Sequence, residues 1–362
     1  MRIIGAVSIA LAVISQAQDS SSAPPGAGRG GRGPSPNLPT KAQWDSNAKT
    51  QEYVAKAKAI AGDDPDLQFD FGIFCQPSGG STNEDRAKIG VPNSLPHLTA
   101  YPTPNPKASL GIQRLFDNFY WIGDTGVGAW LITSNDGYIL FDSLNNEDEA
   151  RDVLVPSMKK AGLDPAKIKY MVFGHYHLDH TGGGLYIQSN YHPKVVMGRD
   201  DWELYFKTMQ SGSGQAARLA NKTPMKRDID ATDGMKITAG DVTATIYEMT
   251  GHTPGSIGMI VPVKYQGRAH PILLVTAATD VHNRESFIGG YEHIWDIGIQ
   301  NKVESVMQVH PNTNMNLLAR TKYVSENYPP AKNPLLYGAD RTKKYIEIMR
   351  ACTLGRMEAL GW

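Results

Sequence analysis

The 362-residue chain reads as an α/β protein in which two mixed sheets pack face to face with helices outside. Three observations predict this sandwich. Short β-rich runs recur between Phe119 and Thr276, helical runs are interleaved with them, and polar residues gather where the strands end. Elements of both kinds bury their apolar faces together in layers, and function then sits along one rim. At 41% hydrophobic residues, there is material for one large or two small cores.

Met1-Arg2, the apolar run Ile3 to Ile14 and the small-x-small ending Ser15-Gln16-Ala17 read as a secretory signal peptide over residues 1–17. The run is too short to span a bilayer, so the expected location is secreted. Residues 18–40 are rich in Ser, Pro and Gly and lack the apolar surface that offsets chain entropy, so a disordered linker is expected. Gly26, Gly28 and Gly31 formally spell G-x-G-x-x-G, but with no strand before them and Pro34 soon after they do not make a dinucleotide loop. Asn221-Lys222-Thr223 is a glycosylation sequon weakened by Pro224. The two cysteines, Cys75 and Cys352, either pair or stay as buried thiols. Lys+Arg and Asp+Glu balance at 36 each, so no global field recruits nucleic acid or an anionic membrane. A small-molecule substrate is the expected partner.

Residues 41–110 form an N-terminal extension draped on the core. Tyr53, Val54, Ala57 and Ile60 recur at helical spacing, Gly62-Asp63-Asp64-Pro65 ends that helix, and a Pro-rich, poorly periodic section follows to Pro106. Residues 111–362 are expected to form the main domain, the one that carries the chemistry-bearing residues. Its strands are Phe119 to Ile122, Ala129 to Thr133 and Tyr138 to Phe141, the last two joined by an Asn135-Asp136-Gly137 turn. Ala150, Val153, Leu154, Met158 and Ala161 mark a helix closed by Gly162, and the strand Tyr170 to Phe173 follows. Then come a strand at Lys194 to Met197, a helix through Trp202, Tyr205, Phe206 and Met209, and strands at Val242 to Met249, Ile257 to Val263 and Ile272 to Thr276. Tyr345, Ile348, Met349 and Cys352 lie on one face of a C-terminal core helix.

The chemistry concentrates at His175-Tyr176-His177-Leu178-Asp179-His180, directly after an apolar run and before Gly182-Gly183-Gly184. Three imidazoles and a carboxylate suit Zn²⁺, and a single ion rarely takes four ligands from one segment. Two ions fit better. His175 and His177, two apart at a strand exit, point to the same side, while Asp179 and His180 leave the backbone in other directions and are assigned to a second ion. The glycines let the chain turn tightly beside the metals.

These residues resemble the H-x-H-x-D-H signature of the metallo-β-lactamase superfamily, and Gly251-His252-Thr253-Pro254-Gly255-Ser256 resembles its third-ligand loop. Gly234-Met235-Lys236-Ile237-Thr238, and Asn333-Pro334-Leu335 after His310-Pro311-Asn312, are similar to the third subclass of metallo-β-lactamases. The resemblance implies the αββα fold and a first zinc held by His175, His177 and His252. It implies a second held by Asp179, His180 and His310. His310 is preferred as the sixth ligand because it ends the run Val306 to Val309, with His282 as runner-up and His270 and His293 as further rivals. His97 and His192 read as ordinary surface or packed imidazoles.

Water shared between two zinc ions is acidified, and Asp179 is the expected catalytic group that orients it or takes a proton. The implied reaction is hydrolysis of a lactam-like amide. A lactonase or thioesterase on the same scaffold is the alternative, and a zinc-binding protein without turnover is a third. Relatives that open lactones or thioesters carry a further aspartate bridging the metals. Asp280, after Ile272 to Thr279, is a candidate for that bridge, for a supporting partner or for an exposed loop residue. Ser256, Tyr176 and the Trp202 to Phe206 helix are candidates for lining the substrate cleft.

Overall fold

The computed structural model describes residues 38–79, 109–124, 126–211, 222–276, 283–311 and 317–362. The leader, almost all of the linker, Asn221, His97, Asp280 and His282 lie outside the described residues.

Strands β1 (Ser109–Phe116), β2 (Phe119–Asp124), β3 (Gly128–Ser134), β4 (Gly137–Phe141), β5 (Ile168–Val172), β6 (Lys194–Gly198) and β7 (Ile229–Ala231) form a seven-stranded sheet in chain order. The first four make an antiparallel meander, in which Ser134 pairs with Gly137 across the predicted Asn135-Asp136 turn. From β4 to β7 the pairing is parallel. Parallel neighbours need crossovers, which here carry the helices. These are α4 (Val155–Lys160), α5 (Leu178–Thr181), α6 (Gly184–Tyr191) and α7 (Arg199–Ser211). Strands β8 (Lys236–Ala239), β9 (Val242–Glu248), β10 (Ile257–Tyr265), β11 (Arg268–Val275) and β12 (Ser305–Gln308) form the second sheet, with order β12-β11-β10-β9-β8 and only the β11–β12 pairing parallel.

Alternation along each strand makes the layers. In β3, Trp130 and Ile132 point between the sheets to meet Ala244, Met259 and Leu274, while Ala129 and Leu131 point outward to Leu154, Met158 and Trp202. The outer face of the second sheet shares a core with α2 (Ala48–Ala61), α3 (Pro65–Phe74), α8 (His293–Gln300) and α10 (Ala339–Leu360), with α1 (Lys41–Ser46) packed on α2 and α10 and α9 (Leu317–Glu326) flanking the central core. The order is helix, sheet, sheet, helix, the αββα sandwich the sequence predicts.

The described part of the N-terminal extension before β1, residues 41–79, packs against the last helix. Thr50 Oγ1 donates to the Gly355 carbonyl at 2.8 Å, and Cys75 is disulfide-bonded to Cys352 with Cα atoms 4.7 Å apart. One departure from the sequence reading is α3, inside the section read as poorly periodic. Asp64 caps it, Pro65 opens it, and its Leu67, Phe69, Ile73 and Phe74 are buried on several sides. A helix buried nearly all round shows no apolar stripe, which is why periodicity misses it. The helix expected from Ala150 to Ala161 is broken into a π-helical turn, Ala150–Leu154, and α4, because Val155-Pro156 offers no amide at residue 156 to continue the regular ladder. No helix among the described residues is long and apolar enough to cross a membrane.

Candidate metal centre

Strand ends build the site. Asp142 follows β4, His175 to His180 follow β5, Asp201 lies in the first turn of α7 after β6, His252 follows β9, and His310 follows β12. A ligand site at the carboxyl ends of such strands is the rule for α/β sheets. The strand β5 stops at Val172, and the chain bends at Gly174, where it passes so close to Thr276 that a Cβ would meet Thr276 Cγ2 at 1.5 Å.

His175 Nε2 and His252 Nε2 each lie 3.1 Å from His177 Nδ1. A zinc bound tetrahedrally at about 2.0–2.1 Å to each nitrogen puts the ligand atoms about 3.3 Å apart, so this spacing fits a shared ion. A second set lies beside it. Asp179 Oδ2 is 3.5 Å from His180 Nε2 and 3.6 Å from His310 Nε2, too long for good hydrogen bonds and right for three donors around a second ion. The His175–His180 ring centroids are 4.0 Å apart, which joins the two sets. Both His175, His177 and His252 and His175, Asp179 and His180 form compact groups able to hold a metal.

Supporting contacts fix the rings. His180 Nδ1 is 2.7 Å from Asp142 Oδ2, and Asp142 Oδ1 accepts from the Gly174 amide at 3.0 Å. His310 Nδ1 is 2.8 Å from the Gly126 carbonyl. In both cases the outer nitrogen donates its proton and Nε2 is left as a bare donor atom facing Asp179. Asp142 holds a left-handed backbone, φ 64°, which Asp tolerates better than most residues.

Electrostatics agrees with that role. Burial pushes the His175 imidazole well below its ordinary value, with the neighbouring rings adding to the effect, so it is neutral at pH 7. Burial, and then the facing His180, lower His310. His180 is also penalised by burial, but the Asp179 and Asp142 carboxylates outweigh it and raise it. Burial works to raise Asp179, yet His180, His310 and His177 bring it down to about 2, so it is a carboxylate at neutral pH.

The six expected ligands are therefore brought together from three separated stretches of chain. Of the rivals for the sixth position, His282 lies outside the described residues and the other two pair elsewhere. His270 Nδ1 pairs with Glu304 at 2.9 Å, His293 Nε2 with Asp233 at 2.9 Å, and His192 ends α6 in a left-handed conformation. Ser256 is fully buried, its hydroxyl bonded to the Thr253 amide and hydroxyl, so it holds the loop and does not face a cleft. Trp202 and Tyr205 are core residues, whereas Tyr176 is half-buried against the His177 ring at 4.7 Å and stays a candidate for substrate contact. Asp280 cannot be placed, lying outside the described residues. Sequence reading missed Asp142 and Asp201, although each is an acid one to three residues beyond a buried β-strand, and that position was a usable signal.

Residues 122–263 match the model of the metallo-beta-lactamase superfamily. Over that segment the chain is similar to the metallo-β-lactamase superfamily. Its ligand cluster and third-ligand loop both fall inside the matched segment. Among curated proteins, it is 32% identical over 152 residues to the N-acyl homoserine lactonase AttM of Azorhizobium caulinodans, covering 40% of this chain and 54% of the lactonase. It is 30% identical over 143 residues to the protein of the same name from Agrobacterium fabrum, covering 38% and 52%. The chain thus spans about half the length of the curated relatives it matches. Among solved structures, it is similar to BJP-1, a subclass B3 metallo-beta-lactamase of Bradyrhizobium japonicum, with a TM-score of 0.57 and 21% identity over 71% of this chain and 97% of that one. That likeness is one of fold.

Proposed function

We propose that this chain belongs to the metallo-β-lactamase superfamily and is a secreted di-zinc hydrolase that opens a lactam-like amide in a small molecule. The observation that carries the reading is the convergence of two three-donor sets on adjacent points: His175, His177 and His252, and Asp179, His180 and His310. Bound there, zinc would bring water's pKa toward about 7, polarise the scissile carbonyl and stabilise the leaving anion. His175, His177 and His252 would hold the first ion, and Asp179, His180 and His310 the second. Asp142 and the Gly126 carbonyl hold the outer protons of His180 and His310, keeping Nε2 of both free for the metal. Asp179, ionised at neutral pH, orients the attacking water and receives its proton at the carboxylate. Tyr176, beside His177, borders the substrate. The Cys75–Cys352 bond supports the secreted location, since such bonds persist in oxidising compartments.

A second reading is hydrolysis of a lactone, favoured by the similarity to two N-acyl homoserine lactonases. One experiment separates the two. The purified chain is assayed for zinc and for turnover of a chromogenic cephalosporin, an N-acyl homoserine lactone and a thioester, with and without chelator. We expect two zincs per chain and chelator-sensitive turnover that prefers the cephalosporin. Preference for the lactone establishes the second reading, and bound zinc with no turnover of any substrate overturns both.

A further inference from the structure

A carboxylate outside the ligand set ties the first-site loops together. Asp201 is 0% exposed, and no Lys or Arg among the described residues pairs with it. Its Oδ2 accepts from the Tyr176 amide at 2.9 Å and from Thr253 Oγ1 at 2.7 Å, and its Oδ1 accepts from the Gly255 amide at 2.8 Å. Tyr176 stands between His175 and His177, and Thr253 directly follows His252. One side chain therefore reaches both loops that carry the three imidazoles of the first set.

The fit is close on every side. A Cβ on Gly255 would come within 2.5 Å of the Asp201 amide and 2.8 Å of its Oδ1, and a Cβ on Gly198 would meet the Gly255 carbonyl at 2.0 Å. The His252 loop thus lies directly on the first turn of α7 with no room for a side chain between. A second link, from the Ile257 amide to the Gly174 carbonyl at 2.8 Å, joins the same loops at their bases, outside the His175–His177 and His252–Ser256 tips. It registers the strands but does not fix the tips. Asp201 does. Burying a carboxylate without a cation is costly, and three donated hydrogen bonds together with the amino end of α7 offset that cost.

We propose that Asp201 is a positioning residue for the first metal site, holding the His175–His177 turn and the His252 loop at the separation at which their three nitrogens converge. This rests on the reading that those histidines bind a metal. The second site has its own supports, Asp142 on His180 and the Gly126 carbonyl on His310, together with the Ser143 amide donating to the His180 carbonyl at 2.8 Å. Loss of Asp201 is therefore felt unequally by the two sites. In Asp201→Asn the shape is kept, but an NH₂ replaces one acceptor oxygen and faces an amide N–H or the Thr253 hydroxyl, so at least one of the three bonds is lost.

The test titrates the metal-free full chain with Co²⁺ and follows the visible ligand-field bands, with zinc affinity read by competition. Proteins compared are wild type, Asp201→Asn, Thr253→Val and His177→Ala, the last supplying the spectrum of the second site alone. Asp201→Asn is expected to weaken the first site by about tenfold, the range seen when groups that orient metal ligands are removed. Its bands should shift, and second-site affinity should change by less than about threefold. Thr253→Val, which removes one donor at unchanged volume, should give a smaller loss at the same site. A folded Asp201→Asn protein with wild-type bands and affinity overturns the proposal, and so does equal weakening of both sites. If Asp201→Asn does not fold, unchanged first-site affinity in Thr253→Val overturns it. Absence of cobalt uptake by the wild type instead overturns the metal reading beneath it.

Discussion

At the scale of single residues, the rings of His180 and His310 are each held by a partner that decides which nitrogen faces inward. Removing His177 takes away the nitrogen that lies 3.1 Å from both His175 and His252. His177→Ala should therefore lose at least the first metal and nearly all turnover. Metal analysis and an activity assay check this, and unchanged turnover would refute the assignment. Asp142 acts one step further out. Asn at this position keeps the side-chain shape and tolerates the φ of 64°, but it presents a single acceptor to the Gly174 amide and the His180 ring, where the carboxylate serves both. Asp142→Asn should lower second-site metal affinity by about 10- to 100-fold, measured by competition with a chromophoric chelator. Affinity equal to wild type would show that His180 needs no such partner.

At the scale of elements, the site depends on where β5 stops. His175 and His177 were expected to share a side because they leave a strand two residues apart, and their ring nitrogens do converge. The mechanism differs, since the strand ends at Val172 and the chain bends at Gly174 before reaching them. Gly174 is packed so closely on Thr276 that a methyl group would collide with it, and Phe141 would be in tight contact as well. Gly174→Ala should destabilise the fold by about 1–3 kcal/mol, as overpacking does. It should also displace His175 and lower first-site metal content, seen by thermal unfolding and metal analysis on one sample. Full metal content at unchanged stability would mean that the turn has slack that these contacts do not show. The α7 helix has a double part. Trp202 and Tyr205 anchor it in the outer core, and its first turn delivers Asp201 to the loops.

At the scale of the whole molecule, the helices before β1 close the far side of the second sheet and are bonded to the last helix. The Cys75–Cys352 link joins positions 277 residues apart, and the buried Arg320–Asp66 pair at 2.7 Å ties α9 to α3. A cross-link over so long a loop restricts the unfolded chain strongly. Cys352→Ser should lower stability by about 2–5 kcal/mol in denaturant unfolding. Its folded fraction should keep two metals per chain, because the bond lies in the helical layer outside the second sheet. Loss of metal from fully folded Cys352→Ser protein would show that this layer also shapes the site.

Local order along the chain was enough to indicate the layered class, most strands of both sheets, and four of the six candidate ligands, because alternation and clustered His and Asp are written in neighbouring residues. His252 and His310 came from a resemblance, His310 also from the apolar run before it. Tertiary structure alone decided which distant side chains meet. It excluded His270 and His293 by giving them Glu304 and Asp233, turned Ser256 inward, and set Asp142, Asp201 and the Gly126 carbonyl behind the ligands. It also revealed α3, which has no polar face to betray its period, and the pairing of two cysteines at opposite ends of the folded body. The physical reason is common to all of these. A hydrogen bond or a covalent link between residues far apart in the chain leaves no periodic trace in either partner's neighbourhood, and it exists only once the strands have been set in register.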